Sequence, residues 1–309
     1  MTQLANERVA YFNGEILPES QVQVHFRDRG FIFGDAAFDT TRSFGHRIFK
    51  IREHIDRFYR TLRYLRLDPG LGAEEMIGIA EDVLERNRHL LDEDEDYWVF
   101  QRVTRGPLVI GGELSEAAGP TIIVECTPLP FKARAHLFRD GIEVVVPSFR
   151  RVPPESLSPR AKTHNYLNLI MADMEAKAQS SDAWAVLLDG DGNLTEGMGS
   201  NIFLVQDGTL LTPKLQKVLG GISRQTVIEL ADELGIACHE KDLDLYDAYT
   251  ADEAFITSTS LCLCPIRSIG GTAMKEESIP GPVTKALMDA YAKLVDFDFV
   301  KQYLKHLDS

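Results

Sequence analysis

Apolar residues in the first part of the chain alternate between two periods. Ile51, Ile55, Phe58, Leu62 and Leu65 recur at the spacing of one helix face, which predicts an amphipathic helix, and a second helix is expected over roughly 73–88. Around them the pattern is that of strands. "RVAYFNGEIL" reads as a hairpin about Asn13-Gly14, "FIFGDAAFDTTRSFGHRIFKI" as two strands joined near Gly45, and "DYWVFQRVTRG" and "PTIIVECTPL" as two more. Strands with helices inserted, without strict βαβ alternation, predict an α+β domain.

The stretch "CTPLPFKARAHLFRDG", 126–141, holds two prolines and has no clean period, so it reads as a connection between domains. "IEVVVPSF" opens the second half as a strand, "AWAVLLDGDGNLTEGMGSNIFLV" as strand, Asp-Gly turn and strand, and "GTLLTP" as another. "EAFITSTSLCLCPIRSIGG" is strand, polar turn, strand. In "SPRAKTHNYLNLIMADMEAKA", Leu167, Ile170, Met171, Met174 and Ala178 repeat at helical spacing, which predicts a helix starting near His164 with that face buried. "ISRQTVIELADELG" is a helix with Ser223 as N-cap, Val227, Ile228, Leu230 and Ala231 inward, and Gly235 as its stop. The segment from Gly281 onward also reads as helical. The expected organisation is a small N-terminal domain over 1–126, a connecting loop over 127–141 and a larger domain over 142–309.

Composition narrows the function classes. The 309 residues are 44% hydrophobic and 26% charged, ordinary values for a folded soluble chain. A net charge of -14 repels polyanions, so neither nucleic acid nor an anionic membrane is an expected partner. No apolar run approaches a membrane span and the N-terminus lacks the order of a secretory signal, which makes the cytoplasm the expected location. Four cysteines, at 126, 238, 262 and 264, are too scattered for a disulfide framework, and their spacing does not suit a zinc site; no metal is expected.

Four features carry candidate chemistry. Lys162 stands at a strand-to-helix junction, and a helix N-terminus disfavours a neighbouring cation, as an amine nucleophile requires; a solvated loop lysine is the plainer reading. Glu196 follows a hairpin and is flanked by Gly197 and Gly199, which permit close backbone approach; it is either a partner for a protonated heterocycle nitrogen or an exposed turn acid. Gly220 and Gly221 precede a helix whose first amides, at Ile222 and Ser223, form an anion cup, and "TSTS" at 257–260 is a second hydroxyl-rich turn. Arg57 lies at the border of a buried helical stripe, where it reaches either a phosphate or water. Together these features suit a phosphorylated carbonyl cofactor with a ring nitrogen.

The stretches "YFNGE", "DRGFIFGDAAFDTTR", "HIDRF", "VTRG", "KTHNYLN", "LTEGMGSNIFLVQDGTLLTP", "GISRQTV" and "FITSTS", in this order and over nearly the whole chain, resemble the fold-type IV (class IV) pyridoxal-phosphate enzymes. That family includes branched-chain, D-amino acid and (R)-amine transaminases and aminodeoxychorismate lyase. The resemblance implies a two-domain α+β or α/β fold with a small N-terminal α/β domain and a larger, β-barrel-like C-terminal domain with helices. It implies pyridoxal 5'-phosphate as cofactor and an active site completed across a homodimer. Lys162 would bind the cofactor as a Schiff base and carry the proton. Glu196 would face the ring nitrogen, Tyr166 the phenolic oxygen, and Leu219 would pack on the ring. Arg57, the amides of Ile222 and Ser223, and Thr259 would hold the phosphate. Phe33, Phe38, Arg42, Phe100, Arg102, Ser260 and Leu261 fall where family members line the substrate pocket.

The implied activity is a ping-pong transfer of an amino group between a hydrophobic amine or amino acid, branched-chain-like or an (R)-amine, and a 2-oxo acid. A lyase resembling aminodeoxychorismate lyase and a D-amino acid transaminase are the alternatives. "TRGPLVIGGELSE" lacks the arginine and histidine that D-amino acid transaminases carry there, and Phe100-Gln101-Arg102 matches the branched-chain tyrosine-x-arginine only in part. His164 has no role in this scheme.

Overall fold

The computed structural model describes residues 7–92 and 94–307. It divides into two units, one of residues 1–129 with 161–165 and one of 130–160 with 166–309.

In the first unit the hairpin strands β1 (Val9–Phe12) and β2 (Glu15–Pro18) turn at Asn13-Gly14, both at positive φ, as the Asn-Gly pair predicts. Helix α1 (Arg29–Phe33) occupies residues that read as strand, because Asp28 caps it by accepting from Gly30 N and Gly34 ends it at φ 68°. Then come β3 (Ala36–Phe44), β4 (Arg47–Ile48), α2 (Ile51–Tyr64), α3 (Ala73–Asn87), β5 (Tyr97–Thr104) and β6 (Thr121–Pro128). Among the described residues the strands form one sheet in the order β2-β1-β6-β5-β3-β4, with every pair antiparallel. One face of this sheet is covered: Ile55, Phe58 and Leu62 of α2 and Met76, Ala80 and Val83 of α3 are buried in one cluster with Val99, Val103 and Val124. Each of these side chains other than Ala80 contributes about 1.5–3 kcal/mol on leaving water. The alternation of β3 sends Ala37, Asp39 and Thr41 to that face and Phe38 and Thr40 to the other.

The second unit opens where a loop was expected. Residues 131–140 form α4 (Phe131–Asp140). Its order comes from contacts distant in sequence: Phe131 and Phe138 pack on Tyr303 at 4.9 and 4.6 Å between ring centroids, which no local period reveals. There follow β7 (Ile142–Val145), α5 (Leu167–Gln179), β8 (Trp184–Ala185), β9 (Glu196–Gly197), β10 (Ser200–Gln206), β11 (Thr209–Pro213), α6 (Ile222–Glu233), β12 (Cys238–Lys241), α7 (Leu245–Thr250), β13 (Glu253–Ser258), β14 (Cys262–Ile269), β15 (Thr272–Ala273), α8 (Pro282–Leu294) and α9 (Phe299–Leu304). The sheet path is β12-β11-β10-β13-β14-β7-β8, with β9 added to β10 and β15 to β14. Every residue of β13, and all of β10 but its last, is buried, so these central strands read as continuous apolar runs rather than alternating ones. Phe203 and Phe255 are direct cross-strand partners and stack at 4.9 Å.

Helix α5 corrects one expectation about faces. Leu167 and Met174 are 69% and 59% exposed, Ile170 and Met171 are exposed with them, and the buried residues are Leu169, Ala172 and Ala176. Small side chains let the helix lie close against Val145, Ala183, Ala185 and Leu187, and the larger apolar stripe therefore points away from this core. Among the described residues no helix is long and apolar enough to cross a membrane.

Candidate active site

Lys162 lies in the segment 161–165 of the first unit. Phe38 N donates to Lys162 O at 3.1 Å, His164 N to Ala36 O at 3.0 Å, and Ala37 and Thr163 form an antiparallel bridge. The segment is thus an extra short strand beside the start of β3. Lys162 N also donates to Thr61 Oγ1 of α2 at 3.2 Å. The side chain is 9% exposed, with Nζ 4.4 Å from the centroid of the Phe38 ring. It is not the solvated loop lysine of the plainer reading. Its placement does not come from a helix N-terminus either, because α5 begins at Leu167 and the dipole fades within a helix's own first turn.

Asp39, on the covered face of β3, gathers a charged cluster that the sequence did not announce. Its carboxylate, 0% exposed, accepts from Arg57 Nε at 2.9 Å and Nη2 at 2.7 Å and lies 2.7 Å from His54 Nδ1. Burial alone would raise the Asp39 carboxyl, but the Arg57 charge and the His54 hydrogen bond outweigh it and hold the group well below the carboxylate range. For His54 burial dominates and lowers its proton affinity, against the pull of Asp39 and with the charges of Arg57 and Lys162. Arg57 therefore faces inward rather than snorkelling to water. The available signal was the pairing of His54 and Arg57 one turn apart on α2 with a lone acid on a buried strand.

His164 stacks edge-on to Phe38 at 5.4 Å. Burial, the charge of Arg102 and that of Lys162 lower it from 6.5 to about 4, against a smaller pull from Asp28. A depressed folded-state value means that the unfolded chain takes up the proton first. His164's contribution to stability is then complete above 6.5 and is lost as the pH falls from 6.5 towards 4, by at most about 3 kcal/mol. Thermal denaturation across that window should show a shallower decline for His164→Gln than for the wild type; parallel curves would remove His164 from the account.

Of the residues expected in the substrate pocket, three share one face of the first unit's sheet. Phe38 is opposite Arg102 and Thr40 opposite Phe100, and the Arg102 guanidinium lies 4.5 Å from the Phe100 ring centroid while pairing with Glu125. Arg42, farther along β3 and opposite Trp98, is buried, with Nε donating to Ser43 O and the guanidinium 4.0 Å from the Phe44 ring. Phe33 sits exposed at the end of α1 beside Arg29.

In the second unit Glu196 is no turn acid at the surface. It is 4% exposed, with Oε1 accepting from Arg151 Nε and Oε2 from Leu219 N, both at 2.9 Å. Arg151 is a further residue that sequence reasoning passed over. Gly197 must be glycine because a Cβ there would stand 2.4 Å from Ala185 O. Gly221 caps α6 by its backbone, and a Cβ on it would meet Asn201 Oδ1 at 2.2 Å. Asn201 also donates to Leu219 O at 3.0 Å, so the turn before α6 is held tightly on β10. Ser223 is not the N-cap. The helix starts at Ile222, and Ser223 Oγ donates to Ser258 O at 3.0 Å, tying α6 to the turn at 259–261. In that turn Ser258 and Ser260 are buried, Thr259 is partly exposed and Leu261 is fully buried. Tyr166 caps α5 and packs on the cluster of Leu169, Ala172 and Ala176.

Comparison with known proteins identifies the family. The family profile described as "Amino-transferase class IV" matches residues 36–269. A protein of Methanocaldococcus jannaschii, provisionally named a branched-chain-amino-acid aminotransferase, is 37% identical over 282 residues, covering 91% of this chain and 94% of the relative. The D-alanine aminotransferase of Bacillus licheniformis is 28% identical over 280 residues, 90% of this chain and 94% of its own. The T.th. branched-chain amino acid aminotransferase, solved in complex with N-(5'-phosphopyridoxyl)-L-glutamate, superposes with a TM-score of 0.84 at 25% identity, covering 94% of each chain.

Proposed function

This chain belongs to the class IV aminotransferases, and from that premise we propose that it exchanges an amino group between a branched-chain-like amino acid and a 2-oxo acid. It is a pyridoxal-phosphate-dependent aminotransferase. The branched-chain-like substrate is supported by the relatives of that name, and the observation that carries the cofactor site is the bond from Leu219 N to Glu196 Oε2. It joins a buried carboxylate, suited to a ring nitrogen, directly to the glycine turn that opens α6, suited to a phosphate. One small cofactor presents both groups, and Asn201, whose Oδ1 leaves no room for a Cβ at Gly221, holds that turn on β10.

When bound, pyridoxal phosphate supplies the electron sink that stabilises charge at the substrate's α-carbon. The chain's residues do the rest. Lys162 Nζ would hold the cofactor and would take and return the substrate's α-proton. Glu196, kept in place by Arg151, would accept the hydrogen bond of a protonated ring nitrogen. Tyr166 would donate to the cofactor's phenolic oxygen and Leu219 would pack on its ring. Arg57, oriented by Asp39, would bind phosphate, as would the amides of Ile222 and Ser223 and the hydroxyl of Thr259. Phe38, Phe100 and Arg102 give the substrate side both aromatic surface and a cation, which suits alternating hydrophobic and charged substrates. Phe33, Arg42, Ser260 and Leu261 complete the set assigned to that side.

A homodimer in the cytoplasm is part of the proposal. The exposed stripe of Leu167, Ile170, Met171 and Met174 on α5, and the exposed Phe26, Phe31 and Ile32, support an oligomer that covers apolar surface. Borohydride reduction and peptide mapping should find a pyridoxyl group on the peptide containing Lys162. A donor panel of L-leucine, D-alanine and (R)-1-phenylethylamine should show L-leucine well ahead. Activity confined to the (R)-amine would reassign the donor, and sustained turnover of one substrate without any oxo acid would make the enzyme a lyase.

A further inference from the structure

His164 carries a side chain for which the transfer scheme above has no role. The bridge between Ala37 and Thr163 pairs Phe38 with Lys162 and Ala36 with His164. Partners in an antiparallel pair project to one side, and so do residues two apart along a strand. The Lys162 and His164 side chains therefore leave their segment on the face that carries Phe38 and Arg102. The placement is fixed on both sides of the imidazole: His164 N donates to Ala36 O, and Asn165 Nδ2 donates to Gly34 O, each at 3.0 Å. Both side chains then meet the same ring. Lys162 Nζ is 4.4 Å from the Phe38 centroid, and the imidazole is edge-on to that ring at 5.4 Å, with 68° between the planes. Burial, followed by the charges of Arg102 and Lys162, keeps the imidazole neutral at ordinary pH against the pull of Asp28. A neutral ring packs on Phe38 without competing, as a cation would, with the Lys162 amine for its negative face.

We propose that His164 is a positioning residue for amino transfer: its ring braces Phe38, and Phe38 in turn holds the Lys162 amine in place on the substrate face of the sheet. The inference rests on the aminotransferase reading above and deepens it, giving the reacting lysine a support that acts through an aromatic ring. A lysine stem of four carbons leaves Nζ free to wander, and an amine that takes and returns a proton works fast only from one place. An aromatic face against Nζ narrows that freedom. It does so only while the ring cannot turn away, and an edge-on contact from a second ring on a fixed backbone opposes that turn. What position 164 must supply is then an aromatic edge, not a hydrogen bond.

Two readouts test it: trace acetylation of the full chain freed of cofactor, followed by peptide mapping, and steady-state kinetics of the holoenzyme. With the brace removed, Lys162 of His164→Leu should acetylate about 2- to 5-fold faster, relative to the exposed Lys275 in the same digest, as the weakening of one cation–π contact implies. The same variant should lose about 3- to 10-fold in kcat with the donor KM within about 2-fold. His164→Phe should restore both values and His164→Gln neither. Phe38→Leu should speed acetylation at least as much as His164→Leu, and the double variant no further, because His164 acts through that ring. Wild-type acetylation in His164→Leu, full rescue by glutamine, or effects that add in the double variant overturn the inference. If His164→Leu does not fold, the phenylalanine and glutamine variants decide alone, and equal acetylation rates in those two overturn it. A wild type that yields no pyridoxyl-Lys162 peptide overturns the aminotransferase reading instead, and the positioning role with it; the acetylation rates, taken without cofactor, tell the two failures apart.

Discussion

Lys162→Ala is expected to lower turnover by about 10⁴-fold, the upper range for one positioned acid-base group, because it removes the covalent anchor and the proton carrier together. The variant should still fold. The contacts that hold the segment, to Phe38, Ala36 and Thr61, run through backbone atoms of residues 162 and 164, and alanine keeps all of them. Its melting temperature should stay within a few degrees of the wild type while the visible absorbance of the bound cofactor and the borohydride-trapped peptide both disappear. Lys162→Arg is the sharper control: it retains a cation over Phe38 but cannot give up its proton near neutral pH, so it should be as inactive as alanine. A variant that keeps a trapped pyridoxyl group on another lysine would show that Lys162 is not the anchor.

The largest loss of stability is expected from Asp39→Asn, about 3–5 kcal/mol, the cost of leaving a buried cation uncompensated. Asparagine has the shape of aspartate, so packing barely changes and the effect is electrostatic. In the wild type, the depressed Asp39 carboxyl contributes stability that is complete above its ordinary 3.8 and is lost as pH falls below it. Denaturation at neutral pH should give the deficit directly, and the wild type and variant should converge as the solution is acidified through that range. A deficit below about 1 kcal/mol would mean that Arg57 reaches another anion or solvent. A second readout follows from the Arg57 assignment: the variant should release pyridoxal phosphate more readily on dialysis, since the guanidinium then loses its two-point carboxylate partner.

The elements whose residues carry their own period were legible. The stripe from Ile51 to Leu65 became α2, and the Asn13-Gly14 hairpin formed where its turn chemistry required. Three of the misread regions share one cause, whereas α1 follows the local signals of Asp28 and Gly34. Helix α4 is ordered by Tyr303, far along the chain; α5 turns its small residues to the core because a close approach to Ala183 and Ala185 needs them; and Ser223 serves Ser258 rather than its own helix start. In each case a distant partner competed with the local signal and won.

The candidate site divides in the same way. The amino-acid sequence by itself determined which groups are available, a lysine, a carboxylate between glycines, glycine-led amides and a hydroxyl turn, and the family in which they occur in that order. Only the tertiary structure decided which of them leave water. It buried Lys162 against Phe38 and Glu196 beneath Arg151 and the Leu219 amide, drew Arg57 inward onto Asp39, and set His164 edge-on to Phe38. Charge and hydrogen-bonding capacity belong to a residue type, whereas their strength depends on desolvation and on partners dozens of residues away, which the packing of strands and helices alone supplies.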